Sequence, residues 1–107
     1  EAVEEKNVEK LNNLLADDFI EKHEGQENFI TKTDFINNIS NSSDPINYYI
    51  LNDSLTEKIT NNYYKVSGTL QISIQRGNNS VDNEELAVFS IKKIEGTYYI
   101  SKLLYKH

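Results

Sequence analysis

The chain has 107 residues, with 11 Lys and Arg against 17 Asp and Glu and a formal net charge of −6. That length supports one hydrophobic core, a single domain over residues 1–107, and the acidic balance with no run of Lys or Arg disfavours nucleic acid as a partner. Cysteine is absent, which removes disulfides, thiolate nucleophiles and Cys-based zinc sites, and no segment approaches the ~20 apolar residues of a bilayer span, so no direct membrane insertion is expected.

Methionine is absent too, even at position 1, so Glu1 reads as a processed terminus or the cut end of a longer chain. Localisation stays open between cytoplasm and bacterial export, because a cysteine-free composition suits both. Four Asn-X-Ser tripeptides begin at Asn38, Asn41, Asn52 and Asn78, as an Asn- and Ser-rich chain produces by chance. The charge is uneven: residues 1–34 hold ten acids and four bases, whereas residues 35–107 hold seven of each. Such a stretch reads first as the solvated face of amphipathic helices.

In chain order, Val8, Leu11, Leu14 and Leu15 recur at helical spacing and predict one amphipathic helix from about Ala2 to Ala16. The period is lost over Asp18–His23, and Gly25 offers a positive-φ turn before Phe29 and Ile30, which gives a short strand, a turn and a return strand. Thr31 with Asp34, or Thr33 alone, supplies an N-cap for a second helix facing inward with Phe35, Ile36 and Ile39. That helix should end in Asn41-Ser42-Ser43-Asp44-Pro45, where short polar side chains compete for the backbone and proline disfavours helix before it.

Beyond Pro45 the pattern is strand. Tyr48–Asp53, Leu55–Thr60, Tyr63–Gln75, Glu84–Ile94 and Tyr98–Tyr105 are rich in β-branched and aromatic residues, separated by Asn61-Asn62, Gly77-Asn78-Asn79 and Glu95-Gly96. In the third, Tyr64, Val66, Leu70, Ile72 and Ile74 share one face, and Lys65, Ser67, Thr69, Gln71, Ser73 and Gln75 share the wet or paired one. Gly68 interrupts the apolar row and predicts a bulge or sharp bend. Helices first and a bent meander after them predict an α+β domain: a strongly curved antiparallel sheet wrapped around N-terminal helices.

The stretch Val8–Glu21, with Ala16-Asp17-Asp18-Phe19 at its centre, resembles the helix-into-strand signature of the nuclear-transport-factor-2-like superfamily. Gly25-Gln26 followed by Lys32–Ile39 resembles that family's turn and second helix, and Ile94–Ile100 its last hairpin. The resemblance is especially to small bacterial members near the polyketide-cyclase and calcium/calmodulin-dependent kinase association-domain branches. The resemblance covers most of residues 8–105. It implies a cystatin-like cone whose curved sheet encloses a pocket, and a homodimer formed through the outer sheet face. The family's long first helix would precede residue 8, so that helix is expected to be short or truncated here.

Aligning Ala16-Asp17-Asp18 on the motif places His23 where enzymatic relatives carry a general-base Asp. Imidazole titrates near neutrality, so His23 is the candidate base for a cyclase-like or isomerase-like activity. The oxyanion-binding tyrosine of those relatives would come from the first helix, expected to be short or truncated here, and the position of its partner acid falls near Val88. A base alone supplies only part of such a reaction. Asp18, Glu21 and His23 do not make a convincing metal set, and no phosphate loop, nucleophile elbow or cofactor motif is present. The Tyr48-Tyr49, Tyr63-Tyr64 and Tyr98-Tyr99 doublets each put one ring inward and one outward. The expectation is a non-catalytic domain binding a small apolar ligand or another protein. Phe19, Phe35, Tyr64 and Tyr98 are the side chains expected to line its pocket, with neither metal nor cofactor.

Overall fold

The computed structural model of the protein describes Val3 and residues 5–106. The first helix, α1 (Val8–Leu14), is shorter than its periodicity predicts, and the Ala2 end of the prediction lies outside the described residues. Two local causes set its limits. The Asn7 side chain accepts from the Lys10 amide at 3.0 Å, capping the first turn, and Leu15 has already extended to pair with β6 (Thr97–Lys106). Lys32 Nζ donates to the carbonyls of Asn12 (2.9 Å) and Leu15 (3.0 Å), so the helix end keeps its hydrogen bonds although the chain turns away at once.

Strand β1 (Leu15–His23) is followed by a turn at Gly25, with φ of +84°, and by the short return strand β2 (Phe29–Thr31). Thr31 stands at the cap position of α2 (Lys32–Asn41), but its side chain makes no capping hydrogen bond. The capping interaction expected of Thr31 is therefore absent. Phe35 and Ile36 are the buried face of α2, as their spacing predicts.

Strands β3 (Ile46–Thr60), β4 (Tyr63–Arg76), β5 (Asn79–Ile94) and β6 form a meander, and the six strands lie in the order β2-β1-β6-β5-β4-β3. The sheet is curved and mixed, not wholly antiparallel, because β1 pairs with β6 in parallel. The α2 crossover carries the chain from one edge to the other, so the returning meander reaches β1 with its last strand running the same way. The turn into β6 holds Glu95 (φ +50°) and Gly96 (φ +81°), the paired left-handed residues of a hairpin turn matched to strand twist.

The two strands predicted over residues 48–60 are one strand with a bulge at the predicted break. Register slips between Asn52 and Leu55, and Asp53 takes a φ of +52°. Gly68 is the reason the bulge fits. A methyl group built there would lie 2.7 Å from the Asn52 carbonyl oxygen and 3.2 Å from Ser54 Cα. The one extra residue is thus on β3, where Asp53 and Ser54 oppose Gly68, whereas β4, which carries the glycine, pairs with β5 without a slip from Tyr63 to Arg76.

The core joins Leu11, Leu15, Phe19, Phe35 and Ile36 to Leu70, Ala87, Leu103 and Tyr105 of the sheet. Phe19 is 2% exposed, with its ring centroid 5.0 Å from that of Phe35, and burying such a side chain contributes about 1.5–3 kcal/mol. Ser73, expected on the wet or paired face of β4, is also 2% exposed. Its hydroxyl donates to Asp82 at 2.6 Å and accepts from Asn47 at 3.2 Å, so the buried oxygen is fully partnered.

Candidate functional site

Alternation along β1 turns Phe19, Glu21 and His23 to the helix side of the sheet. The parallel register then sets Leu103 beside Glu21 and Tyr105 beside His23. The Tyr105 hydroxyl donates to Glu21 Oε2 at 2.8 Å, and the His23 ring stacks on the Tyr105 ring with centroids 4.6 Å apart. From β3, Tyr49 lines the same cavity beside Tyr105, close enough for the two phenols to shift each other's acidity.

Burial pushes the Glu21 carboxyl above the usual glutamate range, against the opposing pull of the Tyr105 hydrogen bond and the His23 charge; the Glu85 carboxylate adds to the upward push. Both phenols are also pushed up, chiefly by burial, with the Glu21 charge contributing to each. At neutral pH Tyr49 and Tyr105 are therefore neutral hydrogen-bond donors.

These groups close one end of a cavity of about 200 Å³ between α2 and the curved sheet. Phe35 and Ile39 of α2, Ile46 and Tyr49 of β3 and Ile72 and Ile74 of β4 form its apolar walls, with Asn38 and Ser42 at its polar edge. A second cavity of about 130 Å³ adjoins it, sharing Val3, Phe35 and Tyr49 and reaching Phe19. Lys6 Nζ bonds the carbonyls of Ser42 and Asp44, which holds the segment bearing Val3 against the α2–β3 connection.

Of the side chains expected to line a pocket, Phe35 lines both cavities and Phe19 the smaller one. Tyr64 and Tyr98 meet edge to face at 5.9 Å and line neither; Tyr98 is 52% exposed, with Lys93 Nζ 5.5 Å from its ring centroid. His23 lies beside the polar end of the site, against Tyr105. Glu21 was weighed in the sequence only as a metal ligand, and Tyr49 and Tyr105 carried no specific role. The signal that finds Glu21 is the period-two spacing of Phe19, Glu21 and His23, which puts a carboxylate on a face that a core phenylalanine has already marked as inward. Among the described residues no three His, Asp or Glu side chains gather to hold a metal ion.

Asp17 and Asp18 are both exposed, because β1 slips in register between Leu15 and Ile20. Asp17 lies 3.6 Å from Lys32 Nζ, and Asp18 is bonded by Lys92, which lowers the Asp18 carboxyl below its ordinary value.

No protein-family model matches the chain, and no curated protein matches it. Solved structures do. A protein from Cytophaga hutchinsonii described as NTF2-like superposes with a TM-score of 0.82 at 20% identity, over 98% of this chain and 85% of that one. The chain has the nuclear-transport-factor-2-like fold. An NTF2-like protein of unknown function in nutrient uptake from Rhodospirillum rubrum gives a TM-score of 0.82 at 14% identity, over 98% and 88% of the two chains. The CaMKII hub homology domain of Chlamydomonas reinhardtii gives 0.78 at 10%, over 97% and 85%. The NTF2-like sheet and helices expected from Val8–Glu21, Lys32–Ile39 and Ile94–Ile100 are therefore shared with proteins of very different sequence.

Proposed function

We propose that this domain is a non-catalytic binding module that takes a small ligand, apolar over most of its body and polar at one end, into the larger cavity. The observation that carries this reading is the Tyr105–Glu21 pair at the end of a hollow walled mainly by apolar side chains. Apolar walls supply affinity and a few placed polar groups fix orientation, as in small-molecule sites generally. The test is amide chemical-shift mapping with a panel of small amphiphiles, repeated on Ile39→Trp, which fills the hollow from α2. Shifts at Tyr49, Ile72 and Tyr105 that vanish in a folded Ile39→Trp support the reading; no shifts there with any probe would defeat it.

The face of the sheet opposite the helices supports a second part of the proposal, a homodimer. Leu55 and Leu86 are 70% and 60% exposed beside a broad depression that also includes Val88 and Leu104. Apolar side chains clustered on an open sheet face mark an interaction surface. An enzymatic reading with His23 as general base draws on its contact with Tyr105 next to Glu21. It requires that His23→Ala abolish a turnover that the folded wild-type protein performs.

A further inference from the structure

Resting on the reading of the cavity as a ligand site, its chemistry narrows the kind of ligand. Among the described residues the walls hold one carboxylate, Glu21, and no lysine, arginine or histidine. His23 touches Tyr105 but does not line the cavity. Three aromatic rings, Phe35, Tyr49 and Tyr105, surround the same space. A carboxylate beside aromatic side chains in an apolar hollow matches one ligand chemistry well, because aromatic rings attract a cation over their faces and the acid supplies the counter-charge.

We infer that the occupant is an organic cation, an ammonium or amidinium group on an apolar body, with the charged group against Glu21 and the body against Ile39, Ile72 and Ile74. At interior packing density the hollow of about 200 Å³ accepts roughly ten non-hydrogen atoms. A neutral ligand would offer Glu21 at most an uncharged hydrogen bond in place of its lost water, and an anion would face it directly. A cation restores the carboxylate's lost solvation with charge. The net charge of −6 also draws cations toward the molecule. The Tyr105 hydroxyl completes the site, since its 2.8 Å donation to Glu21 Oε2 fixes one carboxylate oxygen and leaves the other to a ligand.

The experiment compares three probes of similar shape, 2-phenylethylammonium, 2-phenylethanol and phenylacetate, by calorimetry and amide shift mapping on the full chain. The ammonium should bind about tenfold or more tightly than the alcohol, with phenylacetate weakest. Glu21→Gln, which keeps the size and the acceptor for Tyr105, should abolish the preference for ammonium, so that ammonium and alcohol bind the variant within about twofold of one another. A second measurement is independent of the variant. Benzyltrimethylammonium has no titratable proton, so its affinity should fall as pH drops and Glu21 takes up its proton. Equal binding of alcohol and ammonium, or a Glu21→Gln protein that still prefers the ammonium, would overturn the cation while leaving the cavity as a binding site. If no probe shifts a cavity amide, both readings fail together.

Discussion

Replacing Gly68 with alanine tests the account of how the sheet bends. The new methyl group would sit 2.7 Å from the Asn52 carbonyl oxygen, 3.1 Å from Leu51 Cδ1 and 3.2 Å from Ser54 Cα. Leu51 can rotate away, but the other two are backbone atoms held by the β3–β4 ladder, so the bulge itself must move. Overpacking of this kind costs about 1–3 kcal/mol, and the reduced freedom of the unfolded chain returns about 0.4–1 kcal/mol. The net loss should be about 1–2 kcal/mol, which in a domain of this size lowers Tm by roughly 5–15 °C. Urea and thermal denaturation followed by circular dichroism measure the loss, and amide shifts should change from Asn52 to Leu55. A variant within about 0.5 kcal/mol of wild type, with those resonances unmoved, would refute the idea that Gly68 makes room for the bulge.

Tyr105→Phe removes the donor to a half-buried carboxylate and should cost about 1–3 kcal/mol at neutral pH, with a smaller loss in acid, where Glu21 is protonated; urea titration at both pH values checks this. Because the folded-state acidity of Glu21 lies above the ordinary glutamate range, its favourable contribution is complete below that range and is lost as pH rises through the raised value. Glu21→Gln should therefore gain stability relative to wild type across that interval, as read from unfolding free energy against pH, and parallel curves would contradict the assignment. Lys32 has a side chain only 13% exposed, so Lys32→Met should cost about 1–3 kcal/mol by stranding the Asn12 and Leu15 carbonyls, with amide exchange rising first in α1. Leu86→Glu should yield a folded monomer by light scattering if the open sheet face pairs two copies, and a wild-type monomer at high concentration would remove the dimer.

The legible parts of the fold were those with strong local periodicity. The α2 face of Phe35 and Ile36, the three hairpin turns and the alternating row in β4 all follow from spacing, because burial on one side imposes it. The end of α1 was not legible, since Leu15 and Ala16 continue a helical pattern that pairing with β6 overrides. The parallel β1–β6 junction was hidden for a related reason: no short-range signal records which strands meet across the width of a sheet. At the site, Phe19 and Phe35 could be read as inward-facing aromatics. The meeting of Glu21, Tyr49 and Tyr105 depends on register between strands more than fifty positions apart in two of three pairings, beyond any local pattern. Ser73 shows a similar limit, because Asp82 and Asn47 make a buried hydroxyl tolerable where alternation alone predicted a wet or paired side.

The junction of β1 with β6 also bears on how the molecule is made. Leu15 pairs with Ile100 and His23 with Tyr105, so β1 acquires its second neighbour only once residues 100–105 have left the ribosome. Until then the β2–β1 hairpin and the β3–β4–β5 meander can exist only as separate halves with open edges between them. Closing so long a loop is entropically costly, and domains dominated by such distant pairings fold on the millisecond-to-second scale. In this strand order β6 alone joins the β2–β1 hairpin to the β3–β4–β5 meander, and its pairing on both edges makes them one sheet.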